Sequence, residues 1–130
     1  MAKDLKDILK LWKIKAEHDI KAAEKELFSI DPLTDIVCFH AQQAAEKYLK
    51  YFLVSKGEVP SKTHNLKELL IKCISFDEEF KQLDYIIFMT EYAVEMRYPD
   101  DFYIPTIKEA NEAYKAALNV SKFVLSKISI

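Results

Sequence analysis

The chain is expected to fold as an all-α, up-and-down antiparallel bundle of four long helices plus one short helix. Apolar residues recur at helical spacing through most of its 130 residues. No alternating strand pattern of useful length appears. The single glycine, Gly57, and four prolines fall between the periodic segments or at their ends. No repeat, low-complexity tract or linker divides the chain, so residues 1–130 are read as one domain.

Helix one spans about Asp4 to Phe28. Leu5, Ile8, Trp12, Ala16, Ile20, Ala23 and Leu27 share one stripe at 100° per residue. Asp19 interrupts that stripe near Trp12. A carboxylate there either reaches water at the helix edge or anchors a cation, because burying it unpaired is costly. Asp31 and Pro32 read as N-cap and first turn of helix two. That helix runs to Lys56, where Gly57 supplies a left-handed stop. Residues 58–63 form a loop. Asn65 and Glu68 have capping-box-like spacing for a short helix three ending near Cys73. Asp77 caps helix four, expected as an α-helix to about Met96. Its apolar residues, Phe80, Leu83, Ile86, Ile87, Phe88, Met89, Tyr92, Val94 and Met96, point nearly all round, which predicts cover on several sides, one of them a second subunit. Pro99 breaks it. Helix five starts near Pro105, with Ile107, Ala110, Tyr114, Ala117, Val120, Val124 and Ile128 as its stripe.

Half of the residues are hydrophobic and 12% are aromatic, enough for a core. A net charge of -2 argues against a general nucleic-acid binder, and no DNA partner is expected. Cys38 and Cys73 lie on apolar faces, as buried thiols in a reducing compartment would. No apolar run reaches the ~20 residues of a membrane span, and residues 1–4 do not lead into a signal peptide. A cytoplasmic chain without membrane contact is the expectation. Phosphate loops of the Walker or dinucleotide type need several glycines. With only Gly57, phosphate binding must come from side chains or helix N-termini.

The chemically informative stretch is on helix two. Val37, Cys38, Ala41, Ala44, Ala45, Tyr48, Leu49 and Phe52 make one broad apolar face. His40, Gln43, Lys47 and Lys50 occupy a narrow arc on the other side, flanked by Glu46. One imidazole, one amide and two cations suit an anion or a base; a solvated face is the alternative. No Glu-x-x-His pair is present, and His18, His40 and His64 have no zinc-like spacing to the cysteines, so no metal or other cofactor is expected. Arg97 is the one arginine beside 18 lysines. Its planar fork suits phosphate or carboxylate; an ion pair with Asp19, Asp100 or Asp101 is the structural alternative. His64 precedes helix three, where a capping or loop role is expected. His18 faces solvent.

Four segments together resemble the HEPN domain family: Trp12-x3-Ala16-x2-Asp19-Ile20-x2-Ala23; the run from Cys38 to Lys50; Thr63-His64-x-Leu66; and Arg97-Tyr98-Pro99. The resemblance covers nearly the whole chain. It implies a small helical bundle, usually dimeric, found in prokaryotes as a stand-alone chain often encoded beside a small nucleotidyltransferase, with a nucleotide-binding role. Some members are metal-independent ribonucleases and act as toxins. That branch carries an arginine followed after four to six residues by a histidine. Arg97 matches the arginine, but Phe102, Tyr103 and Ile104 stand where the histidine would be. The general acid/base partner is absent there, so the reading leans away from an enzyme. The expected site comprises His40, Gln43, Lys47, Lys50, Arg97 and Tyr98, supported by Asp19, His64 and Asp100. A toxin–antitoxin-like interaction subunit and a ribonuclease are the alternatives.

Overall fold

The computed structural model describes residues 4–93 and 103–128, all of them helix or connection. Helix α1 spans Leu5–Leu27, α2 Thr34–Ser55, α3 Leu66–Phe76 and α4 Ile107–Ser126; a 3₁₀ helix, Glu78–Tyr92, lies between α3 and α4.

Local chemistry sets most boundaries. Asp4 accepts the Asp7 amide at 2.9 Å and caps α1. Gly57, at φ +87°, ends α2 in the left-handed region as expected. Asn65 caps α3 through the Glu68 amide, and α3 runs three residues past the expected Cys73, to Phe76. Thr106 and Glu109 form a reciprocal capping box on α4. The start of α2 differs from expectation. Its N-cap is Leu33, with no side-chain cap, rather than Asp31. The Glu26 carboxylate on α1 instead takes the Leu33 amide at 3.0 Å, while the Ser29 hydroxyl donates to the Glu26 carbonyl. The turn is thus stitched to the preceding helix, and α2 begins later.

The larger correction concerns the fourth segment, which is 3₁₀ rather than α-helical. Its buried residues are Phe80, Leu83, Ile86, Met89 and Tyr92, each three apart. At 3.0 residues per turn they eclipse one another and make one line. At 100° per residue the same five would wind most of the way round the helix, leaving no common buried face. What reads as apolar all round under the α period is one stripe under the 3₁₀ period, with Tyr85 and Phe88 outside it and exposed. Positions 94–96 lie outside the described residues.

Helix α2 is the central element: 15 of its 22 residues are buried. It packs against α1, α4, α3 and the 3₁₀ helix. On α1 the expected stripe is covered from Ala16 onward. Leu5 and Ile8 are exposed, and Leu9 is buried in their place. Phe80 stacks between Phe52 (4.3 Å) and Phe123 (4.9 Å), joining three elements. Lys127 pairs with Asp77 and Glu79, each at 2.9 Å, and so pins the start of the 3₁₀ helix to the end of α4. Among the described residues no helix is long and apolar enough to cross a membrane.

Candidate functional site

Because α2 is wrapped on nearly every side, polar residues of its outer arc cannot simply meet water. They meet neighbouring elements in two clusters. In the first, the Asp19 carboxylate on α1 holds His40 Nδ1 at 2.9 Å and Lys47 Nζ at 2.5 Å. The anomaly of a carboxylate on an apolar stripe is thereby resolved: Asp19 is buried and anchors a cation and an imidazole. His40 and Lys47 sit two turns apart on α2, so one carboxylate bridges them.

In the second cluster, Glu46 is 4% exposed and Lys50 5%. Glu46 accepts from Lys50 Nζ at 3.0 Å, from His64 Nδ1 at 2.8 Å and from Gln42 Nε2 at 3.2 Å. Gln42 also donates to the His64 carbonyl at 3.2 Å. His64 therefore ties the loop before α3 to α2 by both ring and backbone. Gln43 Nε2 donates to Gln42 Oε1 at 2.6 Å and links this cluster to the arc.

The two carboxylates are used alike. Each binds a histidine through Nδ1 and a lysine through Nζ. With Nδ1 donating, Nε2 of His40 is turned away from the carboxylate and accepts when the ring is neutral. Both imidazoles are about 30% exposed. The charge of each lysine is balanced by a buried carboxylate, so the arc is polar but not strongly cationic. Lys50 is enclosed, whereas Lys47 retains 23% exposure of its side chain and further N–H donors.

Six expected site residues thus come together: Asp19, His40, Gln43, Lys47, Lys50 and His64. Arg97, Tyr98 and Asp100 lie outside the described residues. The sequence reading did not assign Gln42 to the site, and it placed Glu46 only at the flank of the arc. Their i, i+4, i+8 spacing with Lys50 was the available signal. Tyr103, at one of the three positions where the ribonuclease branch would carry its histidine, bonds Glu91 at 3.0 Å and Glu109 at 3.3 Å.

Among the described residues no three His, Cys, Asp or Glu side chains gather to hold a metal ion. Cys38 and Cys73 are buried, and burial pushes both thiols up to about 12. At neutral pH they are therefore protonated and unreactive. A separate cavity of about 340 Å³ opens between α1, α2 and α4, lined by Glu17, Lys21, Glu24, Tyr48 and Ser121 among others. None of the expected site residues lines it.

The sequence matches the HEPN domain over residues 9–128. The fold is similar to the crystal structure of an archaeal HEPN homologue, with a TM-score of 0.67 and 23% identity, covering 98% of this chain and all of that one. A search of curated proteins finds no match. The family match takes in α2, both carboxylate clusters and most of the remaining bundle, and on that extent the chain belongs to the HEPN domain family.

Proposed function

We propose that this HEPN domain is a non-catalytic nucleotide-binding module that acts as a homodimer with a nucleotidyltransferase partner. The observation that carries this reading is the row His40, Gln43 and Lys47 on one rigid helix. Each of the three is fixed by a buried neighbour and each keeps hydrogen-bonding capacity. Prepositioned polar groups bind a ligand with less ordering cost than free surface side chains. His40 Nε2 and the Gln43 amide take the base; Lys47, with Arg97, takes phosphate; Tyr98 stacks. Lys50 is enclosed and holds Glu46, and Asp19, His64 and Asp100 support the groups that touch ligand. Exposed Tyr85 and Phe88 on the 3₁₀ helix are the surface offered to a second copy.

A thermal-shift screen against mono-, di- and triphosphate nucleotides, with inorganic phosphate as control, tests the reading. Binding to the folded state raises the melting temperature. Expected is a shift with a nucleotide that phosphate does not reproduce and that Lys47→Ala with Arg97→Ala abolishes. No shift with any nucleotide refutes it.

A second reading, an accessory subunit that docks a protein, is favoured by an ordered apolar edge. Phe28, Ile30 and Leu33 project from the turn that Glu26 stitches down, and Ile30 is fully exposed. Co-purification with a co-expressed nucleotidyltransferase, lost in Ile30→Asp, would support it. The ribonuclease reading lacks its histidine after Arg97 and predicts RNA cleavage in EDTA; intact RNA excludes it.

A further inference from the structure

We infer that the cavity between α1, α2 and α4 is a second binding site, and that it takes a free α-amino acid with an apolar side chain. The site is separate from the arc of His40, Gln43 and Lys47 and does not depend on the nucleotide reading. One of its walls is Tyr48, a residue only 2% exposed. Among the described residues nothing bonds the Tyr48 hydroxyl, although none of their fully buried polar atoms lacks a partner. The hydroxyl is therefore the part of Tyr48 that is not enclosed, and it opens into the cavity that the residue lines. A buried hydroxyl without a protein partner costs stability unless something in the cavity satisfies it. Burial and then the Glu17 carboxylate push this hydroxyl up to about 12, so it is a neutral O–H group with a negative charge near it.

The charges of the lining select the ligand. Helix α1 contributes Glu17, Lys21 and Glu24. Glu24 already accepts from the Tyr114 hydroxyl at 2.7 Å, and Ser121 on α4 donates its one hydrogen to the Leu118 carbonyl at 2.7 Å. Glu17 and Lys21 pair with nothing among the described residues. They stand in the i, i+4 order that favours a Glu–Lys pair, yet they do not pair with each other. One open anion and one open cation thus face the same cavity, roughly 6 Å apart along the helix axis. A zwitterion uses both: its ammonium takes Glu17, and its carboxylate takes Lys21 and the Tyr48 O–H. A simple amine would meet the repulsion of Lys21, and a simple anion that of two carboxylates. Half-buried Ile20 and Leu125, with the Tyr48 ring, add an apolar wall that an apolar side chain covers. A volume of about 340 Å³ is at the small end of ligand pockets, which suits one amino acid rather than a peptide.

Calorimetric titration of the full chain with leucine tests this. Three controls accompany it: 3-methylbutylamine, which lacks the carboxylate, 4-methylpentanoate, which lacks the ammonium, and glycine, which lacks the side chain. Leucine is expected to bind at least about tenfold more tightly than each, the discrimination of one charge-assisted contact or one buried side chain. Glu17→Gln should weaken leucine about tenfold and cancel its advantage over 4-methylpentanoate. Lys21→Met should weaken it as much and cancel its advantage over 3-methylbutylamine. Both residues are exposed and unpaired, so neither change disturbs the fold. Tyr48→Phe removes a hydroxyl that bonds nothing in the chain; it should weaken leucine several-fold without lowering the Tm of the free protein. If 3-methylbutylamine binds as tightly as leucine, the amino-acid assignment is wrong. If leucine binds but none of the three variants weakens it, leucine is held elsewhere and the site is wrong. If none of the four compounds binds at millimolar concentration, the cavity holds only water and the inference falls, while the nucleotide reading, which rests on other residues, is untouched.

Discussion

Lys50 and Glu46 can be uncoupled by a double-mutant cycle whose outcome follows from their burial. Their side chains are 7% and 5% exposed and 3.0 Å apart. Glu46→Leu leaves an ammonium buried with no counter-charge, which costs about 3–5 kcal/mol. For a domain of 130 residues that is a fall in Tm of roughly 11–18 °C. Lys50→Met leaves the carboxylate with two donors, Gln42 and His64, and costs less, about 1–3 kcal/mol. The double variant removes both charges and fills much of the space with apolar atoms. Its residual penalty is the lost acceptor for Gln42 and His64, about 1–2 kcal/mol. The coupling energy is therefore at least about 2 kcal/mol in favour of the pair. Urea unfolding followed by far-UV circular dichroism at pH 7 measures all four corners, with the midpoint shifting at constant slope. A double variant as unstable as the sum of the singles would show that the two groups act independently, and the argument from mutual burial would fall.

Three further outcomes are expected. Ile86→Ala, on the 3₁₀ stripe, should cost about 2–4 kcal/mol in urea melts and Phe88→Ala less than about 1, since Ile86 is fully buried and Phe88 is 43% exposed; equal costs would refute the stripe. Stability should fall as pH rises above 9.0, the ordinary thiol value, because the unfolded chain then loses protons that folded Cys38 and Cys73 keep to about 12. Melts between pH 8 and 10 should flatten in the Cys38→Ala, Cys73→Ala double variant, and an unchanged slope would count against burial of the thiols. The Lys127 ammonium holds Asp77 below its ordinary value of 3.8, so the stability from this pair is present above that value and lost as pH falls through the folded one; acid melts of Lys127→Met should lose that component of the slope, and a profile parallel to wild type would exclude it.

Much of the bundle is legible in the sequence because capping and periodicity are local. Gly57, Asn65 and the stripe of α4 act within one or two turns of themselves, and their elements fall close to where the pattern puts them. The start of α2 was not legible, since the group that takes the Leu33 amide is Glu26, on the other side of the turn. The 3₁₀ helix was misread through the assumed period: five apolar residues three apart signal it, but only if 120° per residue is considered. At the site, the arc of His40, Gln43, Lys47 and Lys50 was visible, yet what its members do was not. A helical projection shows which residues share a face and not what covers that face. That Asp19 reaches His40 and Lys47, and that Glu46 gathers Gln42, Lys50 and His64, depends on how α1 and the loop before α3 lie against α2.

The 3₁₀ helix also alters the economy of length in the bundle. Its 15 residues rise ~2.0 Å each and reach about 30 Å. The 20 residues of α4 rise 1.5 Å each and reach about the same. Two neighbouring elements thus traverse one bundle with unequal amounts of chain. An insertion or deletion that relaxed the first into an α-helix would shorten it by about 7 Å, drawing its end at Tyr92 back along the bundle axis. The position of that end is therefore set by winding as well as by residue count.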